Sequence, residues 1–276
     1  MTLFKFFLCA LISAGTTWYT LPFFTAMFSA KGITVKNYAG KQVVTGAGIT
    51  FLFPCMLGLL PFAWQEGAEA ILGYLMVVVF MPLLGMIDDI LGDGTVKGLK
   101  GHIKVFISGG FSTGGVKALG AVIVAFFLSM QYRIGVVGQL LNIVIFPLFT
   151  NFINLLDLRP GRAIKAFGFF SVLLALITGL SSLWIFLPII ASLCVYFRGE
   201  MQEEYMMGDT GSNLLGGILG YYALKELSIH AKFIFTAFLL LMHWAAEIYS
   251  FSKWFSTVPI LRYIDHIGMK RKEKEG

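Results

Sequence analysis

Four aspartates in this chain have surroundings suited to hard-cation and phosphate chemistry: Asp88, Asp89, Asp157 and Asp209. Asp209 lies in Gly208-Asp209-Thr210-Gly211-Ser212-Asn213, directly before the apolar run Leu214 to Leu224. Glycines let backbone approach a ligand closely, and the first turn of a helix offers unpaired N–H groups to an anion. A carboxylate there can hold a divalent cation, which can in turn hold phosphate oxygens; the plainer reading is a helix cap. Asp88 and Asp89 close a long apolar run. A carboxylate at the centre of a membrane helix costs about 2.5–3.5 kcal/mol and less near its end, so both are expected to have partners or water. Neighbours on a helix diverge by about 100°, so one is expected to face a lipid phosphate and the other a metal or a lysine.

Asn151, Asn154 and Asp157 recur at i, i+3 and i+6, near one face of a helix end. They suit either a polar cleft or helix-to-helix hydrogen bonding. Arg159 and Arg162 follow around Pro160-Gly161, and their guanidinium forks could meet a diphosphate. Lys97, Lys100 and His102 alternate with glycines, and Gly109 to Gly115 extends the same loop. Such a loop can wrap phosphates, although no Walker pattern is present and a solvated basic loop is the simpler reading.

The elements that position these groups are membrane helices. Hydrophobic residues make up 57% of 276 and charged residues 13%, with a mean hydropathy of +0.80. A soluble domain runs about 45–50% apolar and about 25% charged. The apolar runs are continuous rather than alternating, which predicts an all-α polytopic transmembrane helical bundle and not a barrel. With about 20 residues per crossing, nine spans are expected, at 3–29, 46–64, 68–91, 116–131, 135–153, 164–180, 182–198, 211–224 and 230–251. The first run is longer than a signal-peptide core and lacks a cleavage pattern, so it reads as a retained span. Residues 1–251 form one transmembrane domain, and 252–276 form a basic tail suited to an anionic leaflet. Cys9, Cys55 and Cys194 are dispersed in apolar runs and read as packing residues.

Seventeen of the 21 basic residues fall in 30–45, 92–117, 154–165, 198–210 and 252–276. The positive-inside rule puts those segments in the cytoplasm, with the N-terminus outside and the C-terminus inside. Eleven of the 15 acidic residues share that side, which favours a working surface for an anionic, water-soluble substrate. The net charge of +6 is accounted for by this asymmetry and calls for no nucleic acid.

Taken in order, Lys41-Gln42-Val43-Val44-Thr45-Gly46-Ala47-Gly48, Asp88-Asp89, Asn151 to Asp157 and Met207-Gly208-Asp209-Thr210-Gly211-Ser212 resemble the polyprenyl-phosphate N-acetylhexosamine-1-phosphate transferase superfamily. This group includes phospho-N-acetylmuramoyl-pentapeptide transferase. The resemblance runs from about residue 31 to about residue 250. It implies transfer of a sugar-1-phosphate from a UDP-sugar to polyprenyl (undecaprenyl) phosphate with release of UMP and a magnesium requirement. The setting implied is the first membrane step of a cell-envelope polymer in a bacterial plasma membrane, and there is room for a homodimer. By that resemblance Asp209 leads the magnesium ligands, and Asp88 and Asp89 orient or deprotonate the lipid phosphate and help hold the metal. Asn154 and Asp157 line the nucleotide-sugar side, Lys41 sits near the nucleotide, and Gly208 and Thr210 border the substrate. The chain departs from the family where Pro160 replaces a second aspartate, where Met206 replaces an aromatic, and where His266 stands in place of a histidine cluster; a tenth span is also missing. Those departures keep an alternative open: a non-catalytic membrane protein that binds polyprenyl phosphate or a nucleotide sugar as sensor or scaffold. A transporter would want its polar groups at mid-membrane, whereas these stand at span ends.

Overall fold

The computed structural model describes residues 2–92, 101, 104, 105, 107–110, 112–249, 254, 255 and 257–268. It is all-α apart from one small hairpin. Among the described residues, six segments are long and apolar enough to cross a bilayer: Leu3–Ala30, Ala68–Leu91, Thr113–Met130, Gly135–Leu156, Leu183–Met201 and Ile229–Ile248. Their outward residues are large and apolar, among them Phe4, Leu72, Phe126, Val136 and Trp244. That surface suits lipid rather than water, and the chain is a multi-pass membrane protein.

The first helix, α1 (Thr2–Ala30), turns one i, i+4 stripe of Cys9, Ser13, Thr17 and Leu21 inward. A hairpin follows, with β1 (Thr34–Lys36) antiparallel to β2 (Gln42–Val44) and Val35 opposite Val43. Asn37 Oδ1 accepts the amides of Ala39 and Lys41 and shapes the turn.

The other three expected spans take different forms. Residues 46–64 are a broken segment: a 3-10 turn (Ala47–Phe51), the short α2 (Leu52–Leu57) and a second 3-10 turn (Leu60–Phe62). Pro54 and Pro61 each lack an amide donor, which interrupts the helical ladder. The long helices α3 (Ala68–Leu91), α4 (Thr113–Met130) and α5 (Gly135–Leu156) come next. The span expected at 164–180 is the 16-residue α6 (Arg162–Ile177). After it come α7 (Leu187–Met201), α8 (Gly208–Glu226), α9 (Ile229–Ile248) and the short α10 (Pro259–His266).

The helix α8, which contains the eighth expected span, is the axis of the fold. Every residue from Thr210 to Leu224 is buried, as befits a helix apolar on all sides. It packs most extensively against α5 and α3. Gly216 and Gly220, one turn apart, lie against the backbone of Thr150 and Phe146, so α8 and α5 meet without intervening side chains. The N-terminus of α8 is thereby seated between the C-terminal ends of α3 and α5. The hairpin is stitched to the same place: Met206 N donates to Val44 O at 2.8 Å, Ala47 N to Met206 O at 3.0 Å and Gly48 N to Met207 O at 3.1 Å.

Candidate active site

The side chains of Asp88, Lys117, Asn154 and Asp209 come from four helices and meet at one end of the bundle. Lys117 stands in the second turn of α4, whose start is capped by Ser112 Oγ accepting Gly115 N at 3.2 Å. Its Nζ donates to Asp88 Oδ2 at 2.9 Å and also to Asp209 Oδ2. Asn154 Nδ2 donates to the same Asp209 oxygen at 3.0 Å and reaches Asn213 Oδ1 at 3.4 Å. The Asp88, Asp209 and Lys117 side chains keep 21%, 27% and 15% of their surface exposed. The cluster is therefore half-sheltered yet reachable.

Asp88 and Asp89 diverge as neighbours on a helix must. Asp89 turns from the lysine to the first turn of α8, where its oxygens accept Asp209 N at 3.0 Å, Thr210 N at 2.9 Å and Thr210 Oγ1 at 2.6 Å. It caps α8 from another helix, satisfying amides that would otherwise be orphaned and lying favourably at the positive end of the dipole. Asp89, expected as a metal ligand, is engaged with the first turn of α8 and fixes where Asp209 stands. Gly208, at φ 66°, makes room for this, since a Cβ there would lie 2.5 Å from an Asp89 oxygen. On α3, Gly85 allows an equally close approach, because its Cβ would meet Asp209 O at 2.2 Å.

Asp157 caps the end of α5, where its amide bonds Asn154 O. Burial, then the carboxylates of Glu200, Asp209 and Asp89, raises its carboxyl well above the usual range. It therefore belongs to the electrostatic neighbourhood of the cluster. Glu200 is buried as well, with Oε1 accepting Gly161 N at 2.8 Å.

Several expected site residues are elsewhere. Asn151 is exposed; about 60° of helix rotation separates it from Asn154, enough to leave it outside the cluster. Lys41 donates to Glu203 O at 3.0 Å, beside Asn37 and Tyr38, which hold the Glu203 carboxylate. Arg162 is not available to a diphosphate: it is 2% exposed and grips Asp265 with Nε and Nη2, both at 2.9 Å. Arg159 stands over the Tyr38 ring and 3.7 Å from the same carboxylate. A buried aspartate demands such compensation, so both arginines serve to hold α10. Lys97, Lys100 and His102 lie outside the described residues.

Lys117 is the residue that sequence reasoning missed. In the sequence it adds only to the charge bias of a loop, yet a lysine just inside an apolar span, downstream of a carboxylate pair, is a costly cation that needs anions. A groove of about 540 Å³ between α1 and α7, lined by Trp18, Tyr19, Pro22, Val195, Arg198 and Tyr205, opens elsewhere and holds none of these groups.

Two carboxylates, Asp88 and Asp209, share the Lys117 ammonium, and such hard oxygen donors suit a divalent cation. No preformed set of three or more His, Cys, Asp or Glu ligands is seen among the described residues. Asn213 Nδ2 and Ser212 Oγ are buried without a hydrogen-bond partner in the described structure. A donor left idle beside the carboxylates is the feature expected where a polar ligand completes a site. Comparison with protein-family models gives no match for this chain, and comparison with curated proteins gives none either.

Proposed function

We propose that the protein is a magnesium-dependent transferase that moves a sugar-1-phosphate from a UDP-sugar to a polyprenyl phosphate in a bacterial plasma membrane. The observation that carries this reading is the junction of Asp88, Lys117, Asn154 and Asp209, with the idle Asn213 amide beside them. In the reaction an oxygen of the lipid phosphate bonds to the sugar-bearing phosphorus, and the bond from that phosphorus to the UMP oxygen breaks. Two anions must meet, so the barrier is dominated by charge repulsion. Magnesium, when bound, neutralises and aligns phosphate oxygens; Asp209 and Asp88 are the residues that would hold it.

The chain's own groups do the remainder. Lys117 offers its ammonium to a phosphate oxygen between the two carboxylates. Asn154 restrains the Asp209 carboxylate, and Asp89 anchors the turn that carries it. The charge of the incoming donor meets the positive end of α8. In this reading the chain crosses the bilayer nine times, with the N-terminus outside and the site and C-terminus in the cytoplasm, as the basic residues require.

A second reading draws on a specific observation: Arg159 and Arg162 are engaged with Asp265 and do not reach for a nucleotide. That favours a protein that binds a nucleotide sugar or polyprenyl phosphate without turnover. The two readings separate in one assay, in which membranes bearing the protein are given undecaprenyl phosphate, magnesium and a panel of labelled nucleotide sugars. Transfer predicts a labelled lipid that disappears with a chelator. Magnesium-dependent nucleotide binding with no labelled lipid for any donor would sink the enzyme and support the binder.

A further inference from the structure

We propose that α10 is a membrane-surface helix whose apolar stripe is embedded in the headgroup region of an anionic leaflet while its opposite flank is clamped to the bundle. The clamp is made of named contacts. Asp265 is 2% exposed and held by Arg162, and Lys165 Nζ donates to Ile264 O and Asp265 O at 2.9 and 3.0 Å. Phe255 lies 4.2 Å from the Arg162 guanidinium, closing the connection that leads into the helix.

That clamp fixes which residues look outward. Ile260, Tyr263, Ile264 and Ile267 are 67%, 73%, 38% and 50% exposed. At about 100° per residue the four fall on a single stripe, with Arg262 on another side. A short helix with a sharply segregated apolar stripe and a basic flank is the form that lies in a membrane interface. Water would leave these four apolar side chains without a partner of their own kind.

Two further observations choose lipid as the occupant. Tyr249 and Trp254 stack with ring centroids 6.5 Å apart where α9 ends, and Tyr and Trp concentrate at the headgroup level of membranes. The α10 helix begins five residues after Trp254, so its start lies within roughly 17 Å of chain from that level. Beyond it the sequence continues Lys270-Arg271-Lys272, a charge complement for anionic headgroups. The proposal needs only a multi-pass membrane protein and is independent of the transferase reading.

The test is spin-label depth measurement on the full chain in lipid nanodiscs. Labels go singly on Ile260→Cys, Tyr263→Cys and Ile267→Cys, with exposed Glu204→Cys as the water reference. All carry Cys194→Ser, since Cys194 is exposed while Cys9 and Cys55 are buried. In discs containing phosphatidylglycerol, the three stripe labels are expected to be relaxed by oxygen and shielded from a water-soluble nickel complex. The reference label shows the reverse. Shielding should weaken in pure phosphatidylcholine and be lost at Ile267→Cys when it is combined with Ile260→Ser and Tyr263→Ser. Stripe labels as open to nickel as the reference in both lipids would overturn the proposal. So would dipolar broadening between labels, which would mean that the stripe covers a second copy.

Discussion

Replacing Gly48 with alanine puts a methyl carbon 2.2 Å from Gly211 Cα and 2.4 Å from Gly211 N. Carbon atoms in contact sit about 3.5 Å apart, so the two backbones must separate by more than about 1 Å. Neither side can yield by rotating a side chain, because both contacts are main chain. The movement also pulls on the bonds from Gly48 N to Met207 O and from Ala47 N to Met206 O. Overpacking of this kind costs about 1–3 kcal/mol, and a weakened hydrogen bond adds about 0.5–1.5 kcal/mol. The total is about 2–4 kcal/mol, or roughly 5–15 °C in melting temperature for a chain of this size. The assay is thermal unfolding of detergent-purified protein, with Gly168→Ala as control. Gly168 lies inside α6, where an added methyl meets nothing within 4 Å. That control is expected to match or exceed the wild type, since alanine is the better helix former by about 1 kcal/mol. Equal melting of Gly48→Ala and wild type would refute the stitched contact between α8 and the 3-10 turn that follows the hairpin.

Other perturbations follow from the same geometry. Lys117→Met leaves Asp88 and Asp209 facing each other without their shared cation, and transfer is expected to fall about 100–1000-fold, read as kcat at saturating donor. Asp265→Ala strands the buried Arg162 and should cost about 3–5 kcal/mol, read as a lower melting temperature and faster protease cleavage of the C-terminal segment. Asp157 supplies a pH test. Its folded carboxyl titrates above its unfolded one, so wild-type stability is lost as pH rises through the folded value. Without divalent ions, Asp157→Asn should therefore gain on the wild type as pH rises above the ordinary carboxylate range; a gap that stays constant with pH would remove this carboxyl from the account.

Much of this arrangement was legible in sequence because membrane helices announce themselves by length and hydropathy. The different partners of Asp88 and Asp89 followed from helical geometry, and the glycines around Asp209 marked a place of close approach. What escaped were features set by tertiary pairing. Pro54 and Pro61 signalled that 46–64 would not be a straight crossing, but the length of the apolar run concealed it. The bond between Arg162 and Asp265 joins residues 103 apart in sequence, so no local pattern could reveal it. Asn151 matched the spacing of Asn154, yet one step around the helix put it outside the cluster. Lys117 stayed hidden because charge near a span end serves topology as readily as chemistry, and only its two carboxylate partners distinguish the cases.

The most direct measurement compares wild type and Asp209→Asn, purified into identical lipid discs with undecaprenyl phosphate, magnesium and the donor found active in the panel. The wild type is predicted to form polyprenyl-linked product. The variant, still folded by melting temperature, should fall at least ~100-fold. Equal rates in the two would contradict the claim that this junction of carboxylates and lysine is where phosphate is transferred.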